Sequence, residues 1–234
     1  MTLTLTVSDE VRALAPGFIH VAVEAHELTN GPTTEASSAL LDDAARRLAA
    51  RLDGRAPHED PHMAAWREVY TAFGSKPSRT RNSAEALAKR ALSDAGLPRV
   101  NVLVDVYNAI SVAHLIPVGG EDLDLIQGGM RLVRATGDED FVTVAGGEET
   151  VEHPDAGEVV WCDEAGVTCR RWNWRQGPRT RLTEGTVSGL FLLETLAPMP
   201  VAEAEAAAAE LAELLEKFSP GARITVHAPH SATA

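Results

Sequence analysis

The spacing of apolar residues changes once along this chain, near residue 118, and that change limits the folds open to it. Before it, apolar residues recur every three or four positions, the spacing that lines one face of a helix. Leu40, Leu41, Ala44, Leu48 and Leu52 share one face as far as Gly54, with Thr33 or Thr34 placed to cap the helix and Glu35 in its first turn. Met63, Trp66, Tyr70 and Phe73 make a second stripe ending at Gly74. Leu87, Ala88, Ala91 and Leu92 make a third, opened by Ser83 and stopped at Gly96-Leu-Pro98. A short apolar run at 100–104 then leads to a helix with Asp105 at its N-cap and Ala109, Ile110 and Ala113 behind it, ended by the turn Pro117-Val-Gly-Gly120.

Beyond that turn the period falls to two. Segments 131–135, 141–145, 158–162, 167–174 and 190–196 read as strands between Gly, Asp and Pro turns. A strand at 18–24, an alanine-rich helix at 202–218 and a closing strand at 223–227 complete the reading. Helices mostly first and strands mostly later point to an α/β fold of the layered, α+β kind rather than a regular alternating wind. With 234 residues, no internal repeat and no break in composition, one domain over 1–227 with a flexible tail at 228–234 is expected. No apolar run approaches the roughly 18–20 residues of a membrane span, and the start Met1-Thr-Leu-Thr-Leu-Thr-Val-Ser8 lacks a signal peptide's pattern. A cytoplasmic protein is expected.

The formal net charge of −13 argues against non-specific coating of nucleic acid, so neither DNA nor a membrane is an expected partner and any RNA contact is local. The charge is uneven, however. Five arginines fall between Arg170 and Arg181, and Lys76, Arg79 and Arg81 form a second basic group. Such a run is either a binding surface or a solvated face. In Cys169-Arg-Arg-Trp-Asn-Trp-Arg-Gln176, strand alternation would set Arg171, Asn173 and Arg175 against Arg170, Trp172 and Trp174. Guanidinium forks beside aromatic rings can hold phosphates and stack bases; the alternative is a pair of core tryptophans with arginines paired to surface acids.

No metal-binding His pair, nucleotide-binding glycine loop or nucleophile elbow is present, so no cofactor is expected. Gly128-Gly129 and Gly146-Gly147 read as hairpin turns. Cys162 and Cys169 fit neither a metal knuckle nor a redox pair and read as buried free thiols, though a strand pair could bring them close. His114 is either a proton carrier or a hydrogen-bonded structural histidine. Glu121, Asp122 and Asp124 either line a pocket mouth or cap the next element. The segment Thr183-Glu-Gly-Thr186 supplies hydroxyls for a ligand or forms an ordinary turn.

Three segments in order resemble one family: Val104-Asp-Val-Tyr-Asn108 running on to Asp122, Arg131-Leu-Val-Arg-Ala135 with Glu139, and Leu182-Thr-Glu-Gly-Thr186 followed by Leu192-Leu-Glu194. They are similar to the B3/B4 editing domain of the bacterial phenylalanyl-tRNA synthetase β subunit. The resemblance covers about residues 95–196. It implies a B3/B4-like domain that hydrolyses, without metal, the ester between a wrongly attached amino acid and its tRNA. Such chemistry needs donors around a developing oxyanion and selection of the amino-acid ring.

Asp105, Asn108, Pro117, Asp122, Arg134, Ala135, Glu139, Thr186 and Glu194 match the family pattern, mostly as scaffold. Three polar editing positions differ: Tyr107 stands where the family has Thr, Gly119 where it has His, and Arg179 where it has Glu. A ligand other than a tyrosyl ester is therefore expected. Arginine would favour an anionic group, and Tyr107 would fill space used by an aromatic ring. The reading implied is a free-standing relative that binds, and as a deacylase hydrolyses, aminoacyl-tRNA or a similar ester in trans. The alternative is a non-catalytic module for an RNA end or an amino-acid-like metabolite. The expected catalytic residues are His114, Glu121 and Arg179, with Tyr107, Asn108, Gly119, Asp122, Arg175 and Thr186 at the substrate. Arg79, Arg81, Arg170, Arg171 and Arg181 are expected at RNA.

Overall fold

In the computed structural model, which describes residues 4–231, the elements follow the change of period. A strand β1 (Leu5–Val7) and a short helix α1 (Asp9–Leu14) precede β2 (Ile19–His26). Four helices come next: α2 (Glu35–Leu52), α3 (Pro61–Ala72), α4 (Ser83–Ala91) and α5 (Val102–His114). The strands β3 (Val118–Asp122), β4 (Met130–Arg134), β5 (Phe141–Ala145), β6 (Glu148–Glu152), β7 (Val159–Asp163), β8 (Gly166–Arg170), β9 (Arg175–Gln176) and β10 (Ser188–Thr195) follow. The chain then closes with α6 (Val201–Phe218), β11 (Arg223–Val226) and β12 (His230–Ser231).

The strands form two main sheets, ordered β1-β4-β7-β8-β9 and β11-β2-β10-β3, with β12 also on β2 and β5-β6 as a separate hairpin. β10 is buried along its whole length between β2 and β3. Its alternate side chains divide the interior. Leu190 and Leu192 join one core with the α3 stripe, β4 and β7, while Phe191 and Leu193 join a second with α5 and α6. Side chains that alternate across a strand require a partner layer on each face, so the second sheet lies inside a layered α/β fold. α5 has eleven buried residues on all its sides, the mark of an interior helix.

Several expectations are corrected in detail. α5 is capped by Asn101, whose Oδ1 accepts from Val104 N at 3.0 Å, and not by Asp105. The run at 100–104 is apolar because most of it is the first turn of a buried helix. Asp105 accepts instead from Val100 N and the Ser37 hydroxyl, tying α5 to α2. Two other helix starts agree with expectation: α4 opens at Ser83, with Asn82 as its cap, and of the two threonines Thr34 caps α2. Gly146-Gly147 turns the β5-β6 hairpin, whereas Gly128-Gly129 leads into β4 from the other sheet. Within the stretch 228–234 expected as a tail, His230 and Ser231 pair with β2, and residues 232–234 lie outside the described residues. Among the described residues, no helix is long and apolar enough to cross a membrane.

Candidate functional site

Between the two sheets lies a cavity of about 300 Å³. Its floor is the face of β3 and β10 on which Glu121 pairs with Leu190 and Gly119 with Leu192. Directly paired residues point the same way, so Glu121, Gly119, Leu192 and Glu194 share this face. Tyr107 and Asn108 of α5, with Ser83 and Leu87 at α4, make one wall. Trp161 of β7, Cys169 of β8, Gln176 of β9 and the turn carrying Trp172, Asn173 and Trp174 make the other. A Cβ at Gly119 would meet nothing within 4 Å, so its missing side chain keeps the floor open between the two glutamates. At Gly120 a Cβ would fall 2.8 Å from Tyr107 Cε1, so glycine there lets the tyrosine ring lie against the strand.

The tryptophan turn replaces the end of the strand expected over 167–174. β8 stops at Arg170 because Arg171 and Trp172 take positive φ values of 46° and 66°, a conformation costing roughly 1–2 kcal/mol for each bulky residue. Glu194 holds the turn in place. Its Oε1 accepts from Trp161 Nε1 at 2.9 Å and Trp172 Nε1 at 3.0 Å, and its Oε2 from Asn173 Nδ2 at 2.9 Å. The Tyr70 hydroxyl donates to Asn173 Oδ1 at 2.8 Å. Trp172, fully buried, packs edge-on against Phe18 and Trp66. Burial pushes the Glu194 carboxyl up to about 7 against the pull of these three donors.

Glu121 is less well supported. It is buried, its Oε2 has no hydrogen-bond partner among the described residues, and burial pushes its carboxyl up to about 8 against the pull of the Thr180 and Gln176 side chains and the Arg179 charge. The Ser83 hydroxyl is also buried without a partner. Asn108, 6% exposed, makes no side-chain hydrogen bond among the described residues. Burial raises the Tyr107 phenol and the Cys169 thiol, so both are neutral. The cavity thus offers aromatic walls, one incompletely supported acid and polar groups free to meet a ligand.

All of these lining residues fall within 65–221, the stretch that matches the B3/4 domain family. The chain belongs to the B3/4 domain family. One similar solved structure is the crystal structure of an N-terminal fragment of the phenylalanyl-tRNA synthetase β subunit from Pyrococcus horikoshii. It is 13% identical, with a TM-score of 0.46, over 96% of this chain and 50% of that one. The chain therefore spans about half the length of that fragment. No curated protein matches.

In this B3/4 domain, the residues expected at the site separate into two groups. Tyr107, Asn108, Gly119 and Glu121 line the cavity together. His114 does not join them: it ends α5 with Nε2 2.6 Å from Glu210 on α6. Arg179 also lies outside, held by the buried Asp163 at 2.6 and 2.9 Å, an arrangement that keeps the Asp163 carboxyl below its usual range despite burial. Asp122 accepts from the Thr186 hydroxyl at 2.6 Å and from Asp124 N, so both residues fasten turns behind Glu121. Arg175 donates to Glu152 and to the Thr143 hydroxyl on the β5-β6 hairpin.

Of the arginines expected at RNA, Arg170 is buried in pairs with Glu158 and Glu152. Arg171 lies over the Trp174 ring and near Glu158, and Arg81 pairs with Glu85. Only Arg79 and Arg181, among those five, are exposed without an ion pair among the described residues. Among the described residues no three His, Cys, Asp or Glu side chains are grouped to hold a metal. Both cysteines are free; Cys169 faces the cavity, while Cys162 packs with Phe141.

Trp161, Gln176 and Ser83 line the cavity although the sequence did not mark them as site residues. Their signals were a tryptophan in a strand, a glutamine after an arginine and a serine at a helix start, patterns shared with ordinary core and cap positions.

Proposed function

We propose that this cavity receives the amino-acid end of an aminoacyl-tRNA presented in trans and promotes hydrolysis of the ester. The observation that carries the reading is the convergence of Tyr107, Asn108, Gly119 and Glu121 from separate elements on one cavity. A volume of about 300 Å³ suits a small ligand. Membership of the B3/4 family and the matching segments support tRNA as the carrier.

In this reading the aromatic walls bury the amino-acid side chain, and water adds to the ester carbonyl. The Asn108 amide and Ser83 hydroxyl donate to the oxyanion of the tetrahedral intermediate. Ionised Glu121 takes the proton from water and returns it to the leaving ribose oxygen. Arg79, on the loop before α4, and Arg181, whose backbone bridges to Glu121, contact the acceptor-end phosphates.

A second reading, binding without turnover, is favoured by the placement of His114 and Arg179 outside the cavity. The experiment measures both retention of charged tRNA and release of amino acid, over a panel of correctly and incorrectly charged tRNAs. Release that Glu121→Gln and Asn108→Ala lose supports hydrolysis. Retention without release assigns the binding module, and neither on any tRNA overturns the proposal.

A further inference from the structure

Resting on the reading of this cavity as the ligand site, we infer that it selects a ligand bearing a positive charge, an organic ammonium or guanidinium on a compact apolar body. Among the described residues, no lysine, arginine or histidine lines the cavity. Arg175 and Arg179, the side chains expected to clamp an anion, are occupied by Glu152 and Asp163 outside it. An anionic ligand would therefore be buried beside two carboxyl groups with no counter-charge, an arrangement that costs several kcal/mol per ion.

The floor is built for the opposite sign. Glu121 and Glu194 share one face with the side-chain-free Gly119 between them. Glu194 has three donors, whereas the Thr180 and Gln176 side chains leave the buried Glu121 Oε2 without a partner among the described residues, and a neutral apolar ligand would leave it so. A cationic N–H group supplies the missing partner. The Trp161 and Trp172 indoles and the Tyr107 ring, which line the cavity, add aromatic surroundings of the kind that hold organic cations away from water, while Trp174 already carries Arg171 over its ring.

The same geometry couples binding to a proton. Without ligand, Glu121 carries its proton at neutral pH, because burial has raised it to about 8. A cation beside it favours the carboxylate, so the complex forms as the Glu121 proton leaves to solvent and the ligand's charge takes its place. Binding of an ammonium then strengthens as pH rises until the ligand's own ammonium begins to titrate, at roughly 7–8 for an α-amino group, and the ionised Glu121 is the form that can accept a proton from water.

The test titrates the full chain with amino-acid methyl esters, their neutral N-acetylated counterparts and the corresponding free N-acetyl amino acids, in two buffers of different ionisation heat. The expected result is binding of the methyl esters about tenfold or more tighter than the N-acetyl esters. At a pH below the ester ammonium's own pKa of roughly 7–8, a buffer-dependent heat should report about one proton released. Both should vanish in Glu121→Gln, checked for folding by circular dichroism, and in Gly119→Leu, which fills the cavity from the floor. Equal or tighter binding of neutral or anionic compounds overturns the inference, as does no binding of any methyl ester at millimolar concentration.

The two readings fail separately. If N-acetylaminoacyl-tRNA is hydrolysed as fast as aminoacyl-tRNA, charge selection falls while the hydrolytic function stands. If the methyl esters bind with proton release but no charged tRNA is hydrolysed, charge selection stands and the hydrolytic function falls.

Discussion

A carboxyl group held above its ordinary pKa by burial keeps its proton in the folded chain after the unfolded chain has lost it. Stability then falls as pH rises between the two values. For Glu121 that window runs from 4.5 to about 8, and for Glu194 from 4.5 to about 7. Urea unfolding of Glu121→Gln should show a flatter pH profile than the parent across this range, with the variant the more stable of the two at pH 8. Glu194 differs because three donors depend on it. Glu194→Ala leaves two indole N–H groups and the Asn173 amide unpaired, at about 1–3 kcal/mol each. A drop of at least about 3 kcal/mol in unfolding free energy is expected, with Glu194→Gln costing less. Arg179→Glu would set a carboxylate against the buried Asp163. A loss of about 2–4 kcal/mol is expected, below the cost for a fully buried pair because Arg179 is partly exposed. Arg179 was expected at the ligand because it stands where the resembled family has Glu, and its partner, sixteen residues away, comes beside it only through sheet packing.

At the scale of elements, adjacent glycines in β3 have opposite requirements because successive residues of a strand face opposite sides. Gly119 faces open space, and Gly120 faces the Tyr107 ring. Gly119→Leu should retain the parent melting temperature within a few degrees while abolishing ligand binding. Gly120→Ala should lower the melting temperature by displacing Tyr107; an unshifted melting curve would show that α5 does not rest on this strand as described. Periodicity located most of the elements, since an apolar stripe or an alternating run is a local property. It misplaced the end of β8, because the left-handed turn at Arg171 and Trp172 is held by Glu194 from another sheet. It also misplaced the start of α5, since a helix buried on all sides has no polar stripe to show its period.

For the whole molecule, a net charge of −13 leaves RNA contact to a few exposed cations. Arg79→Glu with Arg181→Glu should weaken retention of charged tRNA at low salt and reduce its salt dependence, without changing affinity for amino-acid methyl esters. An equal loss for the small esters would place these arginines at the cavity instead. The sequence by itself determined the layered α/β class, the order of helices and strands and the segments that mark the B3/4 family, because these depend on residue spacing along the chain. Only the tertiary structure decided which polar residues share a site. Burial and pairing depend on partners far apart in sequence, so the same packing that brings Glu121, Asn108 and Ser83 to one cavity holds His114, Arg175 and Arg179 against acids elsewhere.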